Sequence, residues 1–422
     1  MSLSCFDLGE RMLSLEEALA ALDQFTPAAL GDEACPLEAS QGRILAEDVR
    51  STLDVPQNTN AAMDGIALAW PTREDAGPER WPLVGESLAG HGYSESVPRG
   101  TAVAITTGAP LPPGTDTVIM SEQLEFVAED EGTWVGIQQP DTVRQGQNVR
   151  HAGEDVARGQ LALSRGTRLR PQHQGLLASL GVAAVRVHRR PRVALFSTGD
   201  EVAAPGEALP GAGIYDANRF SIRGLLERLG CDIDDLGILP DDPQRIREGV
   251  TRAAETADLL ITSGGVSVGQ ADWVRHVLTE AGDLGFWRIA IRPGRPLAFG
   301  QLGKRGIPFF GLPGNPVAVM VTFLQFVQPM LRHMQGECGW SNPRLSAIAD
   351  EPLASRRGRV DFLRGVYHCD ESGQLHVRST GRQGSGILSS MVAANCLIVI
   401  TADREGVDLG EVVTIQPFGE LT

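Results

Sequence analysis

Between residues 191 and 340, short apolar runs alternate with stretches in which apolar residues recur at helical spacing. The apolar runs predict strands at 192–196, 231–239, 259–261, 286–291, 296–300 and 307–311. The amphipathic stretches predict helices at 217–229, 244–256 and 273–281. This alternation is typical of an α/β domain built on a doubly wound parallel sheet.

Three carboxylates follow three of these predicted strands: Glu201, Asp241 and Asp272. Because doubly wound sheets bind ligands beyond the carboxyl ends of their strands, we expect the three side chains to converge at one edge. Each alone would more often be a helix cap or a surface charge. Together they predict a site for a hard divalent ion, with magnesium as the first candidate, held by oxygen ligands.

Asp272 ends a glycine-rich turn, residues 262–272 (TSGGVSVGQAD), between a predicted strand and a predicted helix. Backbone N–H groups in such a turn can approach a phosphate-like anion at the N-terminus of the helix. A carboxylate beside a phosphate repels it unless a cation lies between them, which agrees with a magnesium site. The alternative is an ordinary glycine-rich connection with a solvated aspartate.

The pattern changes on both sides of this region. Ser14 and Glu17 have capping-box spacing and predict a first helix, whereas residues 27–49 contain few strand signals. From residue 81 to 149, short β-like runs separated by Gly and Pro predict a β-rich insertion with its own core. From 341 to 422, runs of the same kind predict a small β barrel or sandwich.

The stretch from Pro316 to about His333 is apolar on nearly every side and follows Asn315, which can cap a helix. Such a helix is buried either inside the fold or at a subunit interface, and we favour the interface. The basic run at residues 356–359 (RRGR) is interpreted as solvated surface.

The net charge of the 422-residue chain is −16, which argues against a broad nucleic-acid surface. Lys304 is the single lysine among 37 basic residues, so an arginine here is weak support for a site that requires arginine. The six cysteines are scattered without metal-ligand spacing, which indicates reduced thiols and a cytoplasmic protein. No apolar stretch predicts a signal sequence or a membrane span.

Six motifs occur in order along nearly the whole chain. They are residues 60–65 (NAAMDG), 107–110 (TGAP), 153–155 (GED), 197–201 (STGDE), 263–269 (SGGVSVG) with Asp272, and 312–316 (LPGNP). On these motifs the chain resembles the MoeA family of molybdopterin molybdenumtransferases, which is similar to the E domain of gephyrin.

The resemblance implies four domains and an elongated homodimer. It implies an N-terminal helix (1–26) that packs on the α/β domain, a linking domain (27–51 and 151–190), a β-rich insertion (52–150), the α/β molybdopterin-binding domain (191–340) and a C-terminal β domain (341–422). In this family the C-terminal domain is expected to complete the site of the partner subunit.

The resemblance also implies a reaction in which adenylylated molybdopterin and molybdate give molybdenum cofactor and AMP, with Mg²⁺ required. The implied catalytic residues are Asp64, Thr107, Asp155, Glu201, Asp241 and Asp272, of which Glu201, Asp241 and Asp272 hold the metal. The implied substrate-binding residues are Ser263, Gly264, Gly265, Ser267, Gly269, Arg288, Arg292, Pro313, Pro316, Arg364 and Ser385. The implied partners are an upstream molybdopterin adenylyltransferase and apo-molybdoenzymes or their chaperones.

The chain departs from the family at Arg288 and Arg292, where the family usually has lysine. Because arginine stays protonated at working pH, a mechanism that needs a lysine acid at these positions is in doubt. Two alternatives remain: a nucleotide-processing hydrolase of the competence-damage type, and a non-catalytic dimeric scaffold.

Overall fold

Seven strands form the largest sheet of the computed structural model, which describes residues 12–71, 78–130, 132–209, 211–264 and 273–419. In spatial order they are Met12–Leu13, Gly282–Ile289, Pro296–Leu302, Ile307–Leu312, Leu259–Ser263, Arg192–Thr198 and Asp232–Leu239. All run parallel except Pro296–Leu302, which is antiparallel to both neighbours. The prediction of a parallel sheet was therefore wrong for this strand, because the short connections on either side of it leave no room for a crossover helix.

Helices cover both faces of this sheet. They are Leu15–Phe25, Ala217–Arg228, Pro243–Thr256, Trp273–Ala281 and Pro316–Thr322, the last continuing through the π-helical Phe323–Val327 into Gln328–Met334. The capping box at Ser14 and Glu17 is present, and Asp242 caps its helix through the backbone N–H groups of Gln244 and Arg245. Val202–Ala203 and Ile214–Tyr215 form a small parallel pair beside the sheet.

One hydrophobic cluster joins three parts of the chain on one face of the sheet. It contains Leu15 and Leu22 of the first helix, Phe326 of the long helix, and Phe362 and Val399 of the C-terminal region. A separate cluster lies on the opposite face under Pro243–Thr256 and Trp273–Ala281.

The long helix that begins at Pro316 is buried inside the single chain. Val317, Phe323 and Leu331 are fully buried, and the buried Gln325 donates to Gln416 Oε1 at 2.8 Å. Our preference for a subunit interface was therefore wrong, since the chain's own sheet, first helix and C-terminal region cover this apolar surface.

The insertion forms a six-stranded sheet. Its order is Thr117–Met120, Gly65–Leu68, Ala102–Ile105, Arg80–Ser87, Gly132–Ile137 and Leu124–Glu129. The short 3₁₀ turns Ser121–Gln123 and Pro140–Thr142 connect parts of it, and Val149–Arg150 pairs with Asn60–Ala61 at its base.

The region between insertion and α/β domain is built from distant short strands. Asp32–Pro36 pairs with Ala184–His188, and Val49–Arg50 pairs with Leu161–Leu163. The 3₁₀ turn Leu37–Ala39 and the helix Pro171–Ser179 complete it. Residues 27–49 thus contain strands that their sequence did not signal.

The C-terminal region is a closed five-stranded barrel rather than a sandwich. Its strands are Val360–Cys369, Leu375–Ser379, Leu345–Ala349, Val412–Pro417 and Cys396–Ile400, which pairs back with the first. Leu353–Ala354 pairs with Gly406–Val407, and Ser389–Val392 is a short helix. Within the described ranges, no helix is long and apolar enough to cross a bilayer.

Candidate active site

A cleft of about 1630 Å³ lies between the α/β domain and the barrel of the same chain. Several of the residues implied as site residues line it: Glu201, Gly264, Arg288, Arg292, Pro313 and Ser385. Ser385 comes from the barrel and the others from the α/β domain. One chain therefore brings residues of two domains to a common surface.

Part of this surface begins where neighbouring parallel strands end. Glu201 follows Arg192–Thr198, and Gly264 follows Leu259–Ser263. Pro313 follows Ile307–Leu312. This is the edge at which doubly wound sheets bind ligands.

Two glycines allow the strand ends to approach each other. Gly199 has a φ of 128°, and a Cβ there would lie 2.6 Å from Glu201 Oε2, so only glycine lets this carboxylate fold back over the strand end. Gly264 has a φ of 86°, and a Cβ there would lie 3.2 Å from the Thr198 carbonyl oxygen.

Asp241 lies beside the same strand end, close to Asp200 and Glu201. Its backbone N–H donates to Asp200 Oδ1 at 3.4 Å. Burial raises the pKa of the Asp241 carboxyl above its ordinary value, and the negative charges of Asp200 and Glu201 raise it further. A cation would relieve this repulsion, so the local charges fit a divalent metal ion.

The full metal set that the sequence suggested cannot be assembled from the described part of the chain. Asp272 lies outside that part, as do Gly265, Ser267 and Gly269. Within it, no group of three His, Cys, Asp or Glu side chains is placed to hold a metal ion.

Two further residues that were predicted to bind substrate lie next to the cleft without lining it. Ser263 is the last residue of its strand and is buried, and Pro316 is the first residue of the long helix. The helix directs its N-terminus at the cleft, which Asn315 and Ala318 line. Asn315 makes no capping hydrogen bond through its side chain, so the partial positive charge of the helix end adds to the potential of the cleft.

The lining is rich in arginine. It includes Arg275, Arg288, Arg292, Arg295, Arg356, Arg357 and Arg359. Among the described residues that line the cleft, Glu201 is the only one with a carboxylate. In a chain of net charge −16, this surface concentrates positive charge at one place.

Asp361 is fully buried and is shared by two of these arginines. Arg359 Nε donates to Asp361 Oδ1 at 2.8 Å, and Arg292 Nη1 lies 3.9 Å from Oδ2. One carboxylate thus faces two guanidinium groups, which leaves positive charge for a ligand. The peptide bond between Arg292 and Pro293 is cis.

Arg364 lies behind the arginines that line the cleft, with only 1% of its surface exposed. Its Nε donates to Ser390 Oγ at 3.1 Å, and its Nη2 donates to the Gly384 carbonyl at 3.2 Å. No carboxylate in the described ranges forms an ion pair with it. Burial lowers the pKa of Arg364 to about 10, and the positive charge of Arg292 contributes. Because a buried charge without a counter-ion is costly, an anion bound here would be stabilised.

The candidate site residues in the insertion, and Asp155 just after it, lie apart from this cleft. Thr107 donates to Asp64 Oδ1 through its backbone N–H at 2.6 Å and through its hydroxyl at 2.8 Å. The backbone bond, followed by the hydroxyl bond, lowers the pKa of Asp64. Asp64, Thr107 and Asp155 are all exposed, and these three described residues are not part of the cleft lining of their own chain.

Three family models match the chain in order. They describe the MoeA N-terminal region (domain I and II) at residues 13–181, a probable molybdopterin binding domain at 194–333 and the MoeA C-terminal region (domain IV) at 346–418. The molybdopterin molybdenumtransferase of Haemophilus influenzae is 43% identical over 411 residues, which cover 97% of this chain and 100% of the relative.

The chain belongs to the MoeA family. Gephyrin of Dictyostelium discoideum is 30% identical over 92% of this chain and 60% of its own length. The crystal structure of a molybdopterin biosynthesis MoeA protein from Pyrococcus horikoshii OT3 matches with a TM-score of 0.82 at 30% identity, covering 97% of this chain and 100% of that one. This MoeA family member is a transferase of molybdenum cofactor biosynthesis, and the hydrolase alternative is not favoured.

The barrel of this MoeA family member meets its own α/β domain, and its expected role in a partner's site stays a prediction. Ile291–Arg292 pairs in parallel with Val360 and Asp361, and the backbone N–H of Val317 donates to the Ser385 carbonyl at 3.1 Å. These backbone bonds between domains place Ser385 in the cleft of the same chain.

The sequence did not identify the basic run at 356–359 as part of a site. Arg356, Arg357 and Arg359 line the cleft. Arg356 and Arg357 are also exposed, as we expected of solvated surface. Nothing in the local pattern shows that this turn precedes a strand that pairs with the turn around Arg292. The missing signal is the pairing between domains.

Proposed function

We propose that this chain inserts molybdate into adenylylated molybdopterin, releasing AMP and giving molybdenum cofactor, in a magnesium-dependent reaction. The observation that best supports this is Arg364, a buried guanidinium with no carboxylate partner in the described ranges, behind a cleft lined with arginine. Guanidinium groups bind oxyanions through paired, charge-assisted hydrogen bonds, and both substrates carry oxyanions.

We assign molybdate to the region between Arg292, Ser385 and Arg364, with Arg288 beside it. The Ser385 hydroxyl makes no hydrogen bond with another described residue and is free to donate to an anion. Arg292 is 48% exposed, and its one ion-pair partner among the described residues, Asp361, is shared with Arg359, so Arg292 can turn toward a ligand. Pro313 and Pro316 border this region at the start of the long helix.

Arg288 and Arg292 bind and orient anions in this proposal and do not transfer protons. A guanidinium stays protonated at any working pH, unlike the lysine usual at these positions in the family. Replacing lysine by arginine therefore keeps the positive charge and adds N–H donors in a planar arrangement. It does not supply a group that can give up a proton.

Glu201, Asp241 and Asp272 would hold Mg²⁺, with phosphate bound by the backbone of residues 263–269. The support is the raised pKa of Asp241, which reflects burial and two neighbouring carboxylates. When bound, the metal supplies the positive charge that lets phosphate oxygens lie near these carboxylates. The chain's own contribution is Gly199, whose lack of a Cβ leaves space for the Glu201 carboxylate.

We further propose a homodimer in which Asp64, Thr107 and Asp155 of one copy complete the cleft of the other. These residues are exposed and lie away from the cleft of their own chain, while two hydrogen bonds from Thr107 keep Asp64 ionised. The enzyme would act in the cytoplasm, where its five described cysteines, all free, stay reduced. It would receive substrate from an adenylyltransferase and pass cofactor to apo-molybdoenzymes or their chaperones.

The test is AMP release from adenylylated molybdopterin, with molybdate and magnesium omitted in turn. We expect release only when both are present. Cleavage of other nucleotide linkages without molybdate would support the hydrolase instead. Binding of the pterin without release would support a scaffold.

A further inference from the structure

The turn that carries Arg356, Arg357 and Arg359 faces the cleft from the barrel side. Across from it, the α/β domain contributes Arg288, Arg292 and Arg295. The cleft therefore has positive walls on two domains, and none of the residues implied by the family motifs lies in the barrel turn.

The turn is held in place by backbone bonds. The Val360 N–H donates to the Ala290 carbonyl at 2.9 Å, and the Gly358 N–H donates to the Ala402 carbonyl at 2.7 Å. Gly358 has a φ of 85°, which favours glycine at this position. The arginines thus project from a fixed backbone.

The charges of the turn are poorly compensated. Arg357 lies 3.6 Å from Glu405, but their side chains are 70% and 75% exposed, so the pair contributes little. Arg359 shares Asp361 with Arg292. Arg356 forms no ion pair with any residue in the described ranges. Carboxylates of the chain would therefore compete only weakly with an incoming anion for Arg356 and Arg357.

We infer that Arg356 and Arg357 form a capture subsite for the phosphate groups of the nucleotide-linked substrate. The inference rests on the proposed function and adds a binding subsite to it. Exposed guanidinium groups at the mouth of a cleft raise the rate at which an anionic ligand is captured, and salt weakens this effect. Arg356 and Arg357 act on substrate entry, whereas Arg364 is buried behind the cleft lining and is not exposed to the incoming substrate.

The double variant Arg356→Gln with Arg357→Gln tests this subsite. The matched control is Arg344→Gln with Arg378→Gln, which removes the same charge from exposed barrel positions outside the cleft lining. At low salt we expect the capture variant to raise KM for adenylylated molybdopterin about tenfold while kcat stays within about twofold. Raising the salt concentration should shrink this difference, and the control should match the unmodified chain.

Equal KM values for the capture variant and the control would overturn the subsite, as would a loss confined to kcat. Equilibrium binding of adenylylated molybdopterin gives the same test without turnover. If the unmodified chain releases no AMP but the capture variant still binds this substrate less tightly than the control, the proposed reaction fails and the subsite stands.

Competition experiments with AMP and with molybdate identify which anion the turn binds. Weaker competition by AMP alone in the capture variant is the expected result. Weaker competition by molybdate alone would overturn the assignment to phosphate.

Discussion

Arg364 and Asp241 are candidate site residues of opposite charge, and the surroundings disfavour the charged form of each. The pKa of Arg364 is lowered to about 10, and the pKa of Asp241 is raised above its ordinary value. Among the described residues, Arg364 donates only to neutral acceptors, whereas Asp241 has two further carboxylates nearby.

The same chain builds complete ion pairs elsewhere. Arg168 and Glu337 are almost equally buried, at 11% and 9% side-chain exposure, and are joined by two hydrogen bonds of 3.0 and 2.8 Å. By contrast, the candidate site has an uncompensated positive charge at Arg364 and an excess of negative charge at Asp241. An anion at Arg364 and a cation at Asp241 would restore the balance.

The largest effect is expected for Asp241→Asn. Magnesium-dependent turnover should fall about a hundredfold or more, because the cation loses a carboxylate, while the free energy of unfolding stays the same or rises as repulsion is relieved. Turnover assays, Mn²⁺ binding by electron paramagnetic resonance and denaturant unfolding measure the three quantities. Asp234→Asn is the control, because Asp234 is a partly exposed carboxylate within the preceding strand Asp232–Leu239, and equal metal binding in both variants would remove Asp241 from the site.

Arg364→Met should weaken molybdate binding by about 3 kcal/mol, the upper range for charged hydrogen bonds, with little loss of stability. Arg168→Met should do the reverse: it should cost about 3 kcal/mol of unfolding free energy, because Glu337 is left short of positive charge, and spare molybdate binding. Isothermal titration and urea unfolding of both variants measure this. Similar profiles for the two variants would show that Arg364 is an ordinary structural arginine.

Arg292→Ala should weaken molybdate binding by about 1.5 kcal/mol, since the side chain is half exposed. Arg305→Ala is a close control, because Arg305 is also 48% exposed and lies 3.7 Å from the buried Asp258, outside the cleft. Equal molybdate affinities for the two variants in isothermal titration would place Arg292 outside the pocket.

The smallest expected effect is a change in the pKa of Asp64, whose carboxylate already accepts two hydrogen bonds from Thr107. Its folded pKa lies below the unfolded value, so its bonds stabilise the fold above the unfolded pKa and are lost as pH falls through the folded pKa. Thr107→Val removes the hydroxyl donor but keeps the stronger backbone donor. Carboxyl NMR titration should show a higher pKa for Asp64 that is still below its ordinary value. Thr101→Val is the control, and the same pKa in both variants would mean that the hydroxyl does not act on Asp64.

Local patterns in the sequence were enough to find the elements that position the site. The apolar run before Gly264 is a buried parallel strand and Trp273–Ala281 is a helix, as predicted. Each depends on residues within a few positions of one another, so their types and spacing carry the information.

Long-range pairings could not be predicted in the same way. The antiparallel Pro296–Leu302, the strands within residues 27–49 and the burial of the long helix all depend on partners distant in sequence. The contribution of Arg356 to the cleft has the same origin, because the pairing of Ile291–Arg292 with the barrel brings it there. The roles of the residues named from the family motifs all stay predictions, both inside and outside the described part of the chain.

The shared hydrophobic cluster also determines which parts of the molecule unfold locally together. Leu15 and Leu22, Phe326, and Phe362 and Val399 belong to one packed group, although they are distant in sequence. Such contiguous groups tend to lose amide-exchange protection together, as one cooperative unit. The first helix, the long helix and the barrel face that carries Phe362 and Val399 should therefore exchange together, while the barrel interior and the six-stranded insertion, which have cores of their own, open separately.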